Sequence, residues 1–388
     1  MRCERCGNED DTYFYNDRGS WYCRKCVNFG RLNVGERISR KEYSCRKHRC
    51  NYHLKYPLTK EQKRCSKEID GYLKDKQDVL VFAACGSGKT EIVMDSIKKY
   101  LNAGKKVGFA ISRRQVVLEI CERMKEAFST LNVVAVCEGF TDVVDGDLII
   151  CTMHQLYRYH KTFDLLIMDE VDAFPYKHNE MLEHIAMNAC TGNIIYLTAT
   201  PDEIMLSKVA RDEIKMVELF IRPHAHPLVL PDIICTYPLF QYYYLYTFLN
   251  KHREKNIPVL VFVPTILLAN KLSFVFRLLF KCASFTSKTI DKELVIKKFK
   301  DKEYQVLFTT TILERGITIK GIHIVVLQAD HIVFDEASLI QIIGRVGRSI
   351  EKPDGEGLFL CTKKSLSIKR CHHAIKEMNA SQDFINET

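Results

Sequence analysis

Hydrophobic positions along the chain fall into two kinds of run. Short uninterrupted apolar stretches alternate with longer segments in which apolar residues recur every three or four positions. The first kind predicts strands buried on both faces, as in parallel sheets covered by helices; the second predicts amphipathic helices. Strands are predicted at Val79–Ala83, Lys105–Ile111, Asp147–Cys151, Phe163–Met168 and Asn193–Leu197. After Pro223, Pro227 and Pro231, which read as a linker because proline resists both helix and ladder, the pattern resumes. Its strands are Val259–Val263, Gln305–Phe308 and His323–Leu327, preceded by a tyrosine-rich helix (Tyr242, Tyr243, Tyr244, Tyr246) expected to serve as core or packing surface. Repeated strand–helix alternation predicts an α/β protein with parallel sheets in two successive domains. Residues 1–56 break the pattern. There Tyr13, Phe14, Tyr15, Trp21 and Tyr22 alternate with polar residues, as in a small ribbon.

The ends of the predicted strands carry the chemistry. Val79–Ala83 runs into Ala84-Cys85-Gly86-Ser87-Gly88-Lys89-Thr90, after which a helical pattern begins. A loop of small residues between strand and helix surrounds a triphosphate with backbone N–H groups, and side chains at Gly86 and Gly88 would obstruct it. Lys89 is placed to reach the β- and γ-phosphates and the Thr90 hydroxyl to hold Mg²⁺. Phe163–Met168 ends in Asp169-Glu170-Val171-Asp172: Asp169 is expected on Mg²⁺, and Glu170 as the group that positions and deprotonates the attacking water. ATP is therefore the expected ligand. Gln62, one helix upstream, offers an amide donor and acceptor suited to adenine. Asn193–Leu197 ends in Thr198-Ala199-Thr200, and Gln305–Phe308 in Thr309-Thr310-Thr311 followed by Leu313-Glu314-Arg315-Gly316. Gln341-Ile342-Ile343-Gly344-Arg345-Val346-Gly347-Arg348 sets two arginines three apart, expected on one helical face. Ser112 and Arg113, Thr152 and His154, Thr265 and Thr310 all follow strands, the edge where parallel sheets hold ligands; these six are expected to hold a nucleic-acid strand.

Sixteen cysteines beside a nucleotide motif in a chain of 388 residues point to reduced thiols and metal ligation over disulfides. Cys3-x-x-Cys6 and Cys23-x-x-Cys26 supply four thiolates at a spacing that suits a structural Zn²⁺, with no position left for a catalytic water. The Cys45, His48, Cys50, His53 cluster fits zinc spacing poorly and reads as a basic connecting segment. Residues 1–56 hold 13 Lys and Arg against 7 Asp and Glu, so most of the net charge of +9 sits there, which favours a polyanionic partner. No apolar stretch approaches the ~20 residues of a membrane span. The expected location is cytoplasmic.

In order, GSGKT, DEVD, TAT, ERG and QIIGRVGR resemble the superfamily 2 helicase motif set over residues 57 to about 365. The resemblance implies two RecA-like parallel-sheet domains in tandem, with arginine fingers (Arg345, Arg348) and Gln341 acting on the γ-phosphate and Gly316 among the nucleotide contacts. The expected division is a zinc-ribbon-like module at 1–56, a first RecA-like domain at 57–222, a linker at 223–235 and a second domain at 236–388. Together with the N-terminal four-Cys module, the order Cys-x-x-Cys-Gly, Trp-Tyr-Cys-Arg-Lys-Cys and Cys-Gly-Ser-Gly-Lys-Thr-Glu resembles the ComFA late-competence family. That resemblance implies an ATPase stimulated by single-stranded DNA that helps import transforming DNA. It also implies ComFC- and DprA-type partners, attachment at the inner membrane face through partners, and room for an oligomer. A PriA-like replication-restart helicase is the alternative enzyme, although its Cys cluster lies inside the helicase region. A nucleotide-binding adaptor without catalysis is the alternative of another class.

Overall fold

A computed structural model describes residues 1–38, 41–315, 319–349 and 351–386, the last five of these by backbone alone. It contains two parallel sheets and one small hairpin. The hairpin pairs β1 (Phe14–Asp17) with β2 (Ser20–Cys23) in antiparallel register, Phe14 opposite Cys23. Arg18 and Gly19, both at positive φ, make the tight two-residue turn whose twist suits a hairpin. Cys3, Cys6, Phe14, Cys23, Cys26 and Leu32 are its buried core.

The chain divides into two compact units, Met1–Ala83 with Gly88–Leu219, and Ala84–Ser87 with Phe220–Thr388. In the first, seven parallel strands are β3 (Asp78–Ala83), β4 (Val107–Ile111), β5 (Val133–Val136), β6 (Leu148–Thr152), β7 (Phe163–Asp169), β8 (Cys190–Thr198) and β9 (Ile214–Leu219). Their order is β5-β6-β4-β7-β8-β3-β9. β4, β6 and β7 are buried almost throughout, which is why they read as unbroken apolar runs. The helix Lys60–Lys74 begins in a capping box: the Thr59 hydroxyl accepts from the Gln62 N–H, and Gln62 Oε1 accepts from the Thr59 N–H. Its Cys65, Ile69 and Leu73 join the core over β3.

The second unit has six parallel strands, β10 (Asp232–Cys235), β11 (Val259–Phe262), β12 (Cys282–Phe285), β13 (Val306–Thr309), β14 (His323–Leu327) and β15 (Gly357–Cys361). Their order is β10-β15-β14-β11-β13-β12. Two differences from expectation appear here. The segment 223–235, read as linker, ends in strand β10, which is paired with β15; four residues are too few for periodicity to mark. In the helix Pro238–Glu254 the buried positions are Gln241, Leu245, Leu249 and His252; Tyr242 packs against that core as expected, whereas Tyr243, Tyr244 and Tyr246 are exposed, Tyr243 by 61%.

The four-Cys hairpin has its own core yet is grouped with the first unit. Phe29 stacks on Tyr157 with ring centroids 4.9 Å apart, and Met181 packs against the hairpin's core. The following segment is tied down by backbone and side-chain bonds to the same sheet. Lys106, 4% exposed, donates from its ammonium to Ser44 O, Asp145 Oδ1 and Gly146 O, which uses all three of its protons. Among the described residues no helix is long and apolar enough to cross a membrane.

Candidate nucleotide site and nucleic-acid face

β3 of the first unit leads through the small-residue loop Ala84–Ser87 to a helix that starts at Lys89. Gly88 caps that helix in the left-handed region, φ 93° and ψ 38°, where a side chain is strained. A Cβ there would also lie 2.3 Å from Gln62 Nε2. Gln62 is therefore held directly against the loop, while its Oε1 is used in the capping box. Thr90 is buried at the start of the helix. The residues fit a bound triphosphate: a Cβ at Gly88 has no room beside Gln62, and Lys89 and Thr90 stand in the first turn of the helix that follows.

Asp169 closes β7, and Glu170 follows at φ 56°, an unusual conformation for a glutamate. Its N–H donates to Leu197 O at 3.1 Å and to Asp169 Oδ1 at 2.9 Å, which anchors the turn to β8. Burial pushes the Asp169 carboxyl up to about 6, with Lys89 acting in the opposite direction and Glu170 adding to the rise. An anionic site of this kind favours a cation. Two residues on, Asp172 Oδ1 accepts from the Thr198 hydroxyl at 2.8 Å and Oδ2 from the Thr200 hydroxyl. The carboxylate turn and the Thr-Ala-Thr turn are thereby one hydrogen-bonded assembly. Neither link is visible in sequence, because the partners are 26 and 28 residues apart.

The six residues expected to hold nucleic acid lie after neighbouring strands: Ser112 and Arg113 after β4, Thr152 and His154 at the end of adjacent β6, Thr265 after β11, and Thr310 after adjacent β13. Their side chains are engaged differently. The Ser112 hydroxyl donates to Glu170 Oε2 at 3.1 Å, and Ser112 is buried. Thr152 is buried too, whereas His154 is exposed with its ring centroid 6.2 Å from that of Phe29. Thr265 is exposed and caps the helix Ile266–Phe276, its hydroxyl accepting from the Leu268 N–H.

In the second unit the helix carrying Gln341 spans Glu336–Ile343 and ends before the arginines. Arg345 and Arg348 thus do not share a helical face. They lie in the turn beyond it, because Gly344 caps the helix and Gly347 has φ 63°. Arg345 is buried and donates from Nε to Glu314 O at 2.9 Å, while Arg348 is exposed. Gly316 lies outside the described residues. Arg222 was not singled out by sequence, where it reads as the end of the first domain. It is 1% exposed and donates to the carbonyls of Gly344, Val346 and Gly347, so it braces this turn. No local motif marks it; only its partners more than 120 positions away do.

The sulfurs of Cys3, Cys6, Cys23 and Cys26 all lie within 4.8 Å of one another, with Cys3–Cys26 at 3.6 Å and Cys6–Cys23 at 3.7 Å. Four sulfurs about 2.3 Å from a tetrahedral Zn²⁺ stand about 3.8 Å apart, so the set fits that ion. Cys45, His48, Cys50 and His53 form no such set. Cys45 donates to Gly104 O, His48 pairs with Asp147 at 3.2 Å, Cys50 donates to Asn102, and the His53 N–H donates to Ala127 O. A second compact group, His252, His323 and Glu356, is poorly suited to a cation. Lys251 already binds both Glu356 oxygens, and His323 Nδ1 accepts the Glu356 N–H, which leaves its proton on the other ring nitrogen.

Comparison with known proteins gives this arrangement a family. Residues 241–349 match the helicase conserved C-terminal domain, and residues 55–203 match the type III restriction enzyme res subunit. Competence protein ComFA of Streptococcus pneumoniae is 33% identical over 97% of this chain and 90% of its own length. The chain belongs to the ComFA family. ComFA of Bacillus subtilis is 32% identical, over 97% of the chain and 85% of that protein. Among solved structures, S. cerevisiae Dbp5 bound to RNA and ADP BeF3 superposes with TM-score 0.63 at 15% identity, covering 85% of this chain and 91% of that one. RecG bound to a three-way DNA junction gives 0.61 at 20% identity, with 85% and 47% covered. These likenesses show the fold: two RecA-like domains in tandem. With its helicase-type domains, this family member is a superfamily 2 ATPase-type enzyme.

Proposed function

We propose that this protein is a motor that hydrolyses ATP when single-stranded DNA is bound and moves that strand during import of transforming DNA. The observation that carries the reading is the Ser112–Glu170 hydrogen bond. It joins a strand-end residue expected to meet nucleic acid to the carboxylate expected to activate water, so occupation of one can reorient the other. An adaptor that only binds nucleotide has no use for such a link.

In this mechanism the loop N–H groups and Lys89 bind and orient the β- and γ-phosphates, and the side-chain amide of Gln62 recognises adenine. Mg²⁺, held by Thr90 and Asp169, would supply neutralisation of phosphate charge. Glu170 orients a water and takes its proton, which needs the carboxylate ionised and aimed. Gln341, Arg345 and Arg348 are assigned to the charge that develops on the γ-phosphoryl group, with Gly316 among the nucleotide contacts. Arg113, Thr152, His154, Thr265 and Thr310 hold the DNA backbone, so recognition is independent of base sequence. Zn²⁺ on Cys3, Cys6, Cys23 and Cys26 supports the N-terminal hairpin. ComFC- and DprA-type proteins are the partners proposed, with action on the cytoplasmic side of the membrane through them.

The deciding experiment measures ATP hydrolysis alone and with single-stranded DNA, duplex DNA or RNA, beside Lys89→Ala and Glu170→Gln. Stimulation by single-stranded DNA that both substitutions abolish is expected. Flat rates across all polymers, or turnover that survives both changes, would return the adaptor reading. DNA affinity should fall steeply with salt, since phosphate contacts release counterions.

A further inference from the structure

We infer that Cys235 and Cys361 form an oxidation site, a dithiol that a hydroperoxide converts to an intramolecular disulfide. Cys235 closes β10 and Cys361 closes β15, and the two are register partners in neighbouring parallel strands. Strands in a sheet stand about 4.8 Å apart, inside the Cα separation of about 4.4–6.8 Å that a disulfide spans. The two sulfurs are already 3.3 Å apart. Closing to a bond of about 2.05 Å brings the two sulfurs together by little more than an ångström, a displacement on the scale of a side-chain rotation. Outside the four-Cys set, this is the only sulfur–sulfur contact among the described residues.

The two thiols differ in a way that orders the chemistry. Cys235 is exposed, while Cys361 is fully buried, its thiol also directed toward Ile234 O at 3.7 Å. Burial pushes the Cys361 thiol up to about 12, so it is protonated and out of reach of solvent. Cys235 therefore reacts first. Its thiolate attacks the terminal oxygen of the hydroperoxide, the O–O bond breaks, and the alcohol or water leaves with a proton; Cys235 becomes a sulfenic acid. The Cys361 sulfur then attacks the Cys235 sulfur and loses its proton. The S–O bond breaks and a second water leaves, completing a two-electron oxidation of the pair.

The bond would staple β10 to the sheet. β10 is a terminal strand with β15 as its one partner, and it is held at its end by the Thr236 N–H donating to Cys361 O at 2.9 Å. The closed loop spans 126 positions, so the bond would restrict the unfolded chain strongly.

The test treats the full-length protein with hydrogen peroxide, blocks remaining thiols with an alkylating agent, and maps the peptides by mass spectrometry. The expected result is a linked Cys235–Cys361 peptide, with both thiols lost to the alkylating agent and both regained after dithiothreitol. Cys235→Ser, an exposed and conservative change, should leave Cys361 as a free thiol that is alkylated only after denaturation. Amide exchange across Asp232–Thr236 should slow in the oxidised wild type and not in the variant. Oxidation of Cys235 to sulfinic or sulfonic acid, a Cys235 disulfide to a second chain, or an unchanged pair would each overturn the inference.

Discussion

Replacing Asp172 by alanine tests the most consequential long-range link in the first unit. Asp172 is 5% exposed, and both its oxygens accept threonine hydroxyls, one from fully buried Thr198 and one from Thr200. A hydrogen bond to a charged group contributes about 1.5–3 kcal/mol net. Alanine removes two, and the Thr198 hydroxyl, which also accepts the Thr200 N–H, loses its carboxylate acceptor. We predict a loss of about 3–5 kcal/mol, a large share of the roughly 5–15 kcal/mol that holds a typical protein folded. Asparagine keeps one acceptor oxygen, and the second hydroxyl can turn to accept from the amide, so about 1–2 kcal/mol is expected there. Urea unfolding of wild type, Asp172→Ala, Asp172→Asn, Thr200→Val and the Asp172–Thr200 double variant gives the coupling directly. Basal and DNA-stimulated ATPase of the asparagine variant report whether the link also transmits DNA binding; stimulation should fall more than the basal rate. An alanine variant within about 0.5 kcal/mol of wild type, the range of an inconsequential surface change, would refute the assignment.

Gly88→Ala should abolish nucleotide binding in a fluorescent-ATP titration while circular dichroism stays native, because the new Cβ meets Gln62 at a strained φ; retained affinity would remove Gln62 from the loop's surroundings. Chelation of the N-terminal metal, or Cys23→Ser, should release zinc in a dye assay and unfold the hairpin, while ATP binding by the rest of the first unit persists. A pH dependence follows from His323, which burial holds down at about 4 against an ordinary 6.5. A depressed histidine favours the fold when neutral, so its contribution is complete above pH 6.5 and is lost as pH falls through about 4. The loss amounts to about 3 kcal/mol. His323→Gln should flatten that part of the urea-midpoint profile; Asp169, whose pKa is raised, has the opposite sign and stays in both proteins.

What the sequence by itself determined is what short range dictates. Apolar runs marked β3, β4, β6, β7, β8, β11, β13 and β14, because a strand covered on both faces has little polar side to display. The small-residue loop after β3, the carboxylates after β7 and the paired Cys-x-x-Cys turns were legible because their chemistry depends on neighbours in the chain. The tertiary structure decided what depends on strand order and register. Placing β4 beside β7 brings Ser112 to Glu170, and placing β7 beside β8 brings Asp172 to Thr198 and Thr200. Pairing β10 with β15 brings Cys235 to Cys361 and turns an apparent linker into an edge strand. Arg345 and Arg348 left their expected helix because backbone bonds at Gly344 and bracing by Arg222 end it early. A periodicity reaches over one or two helical turns; these partners meet only after the sheets have formed.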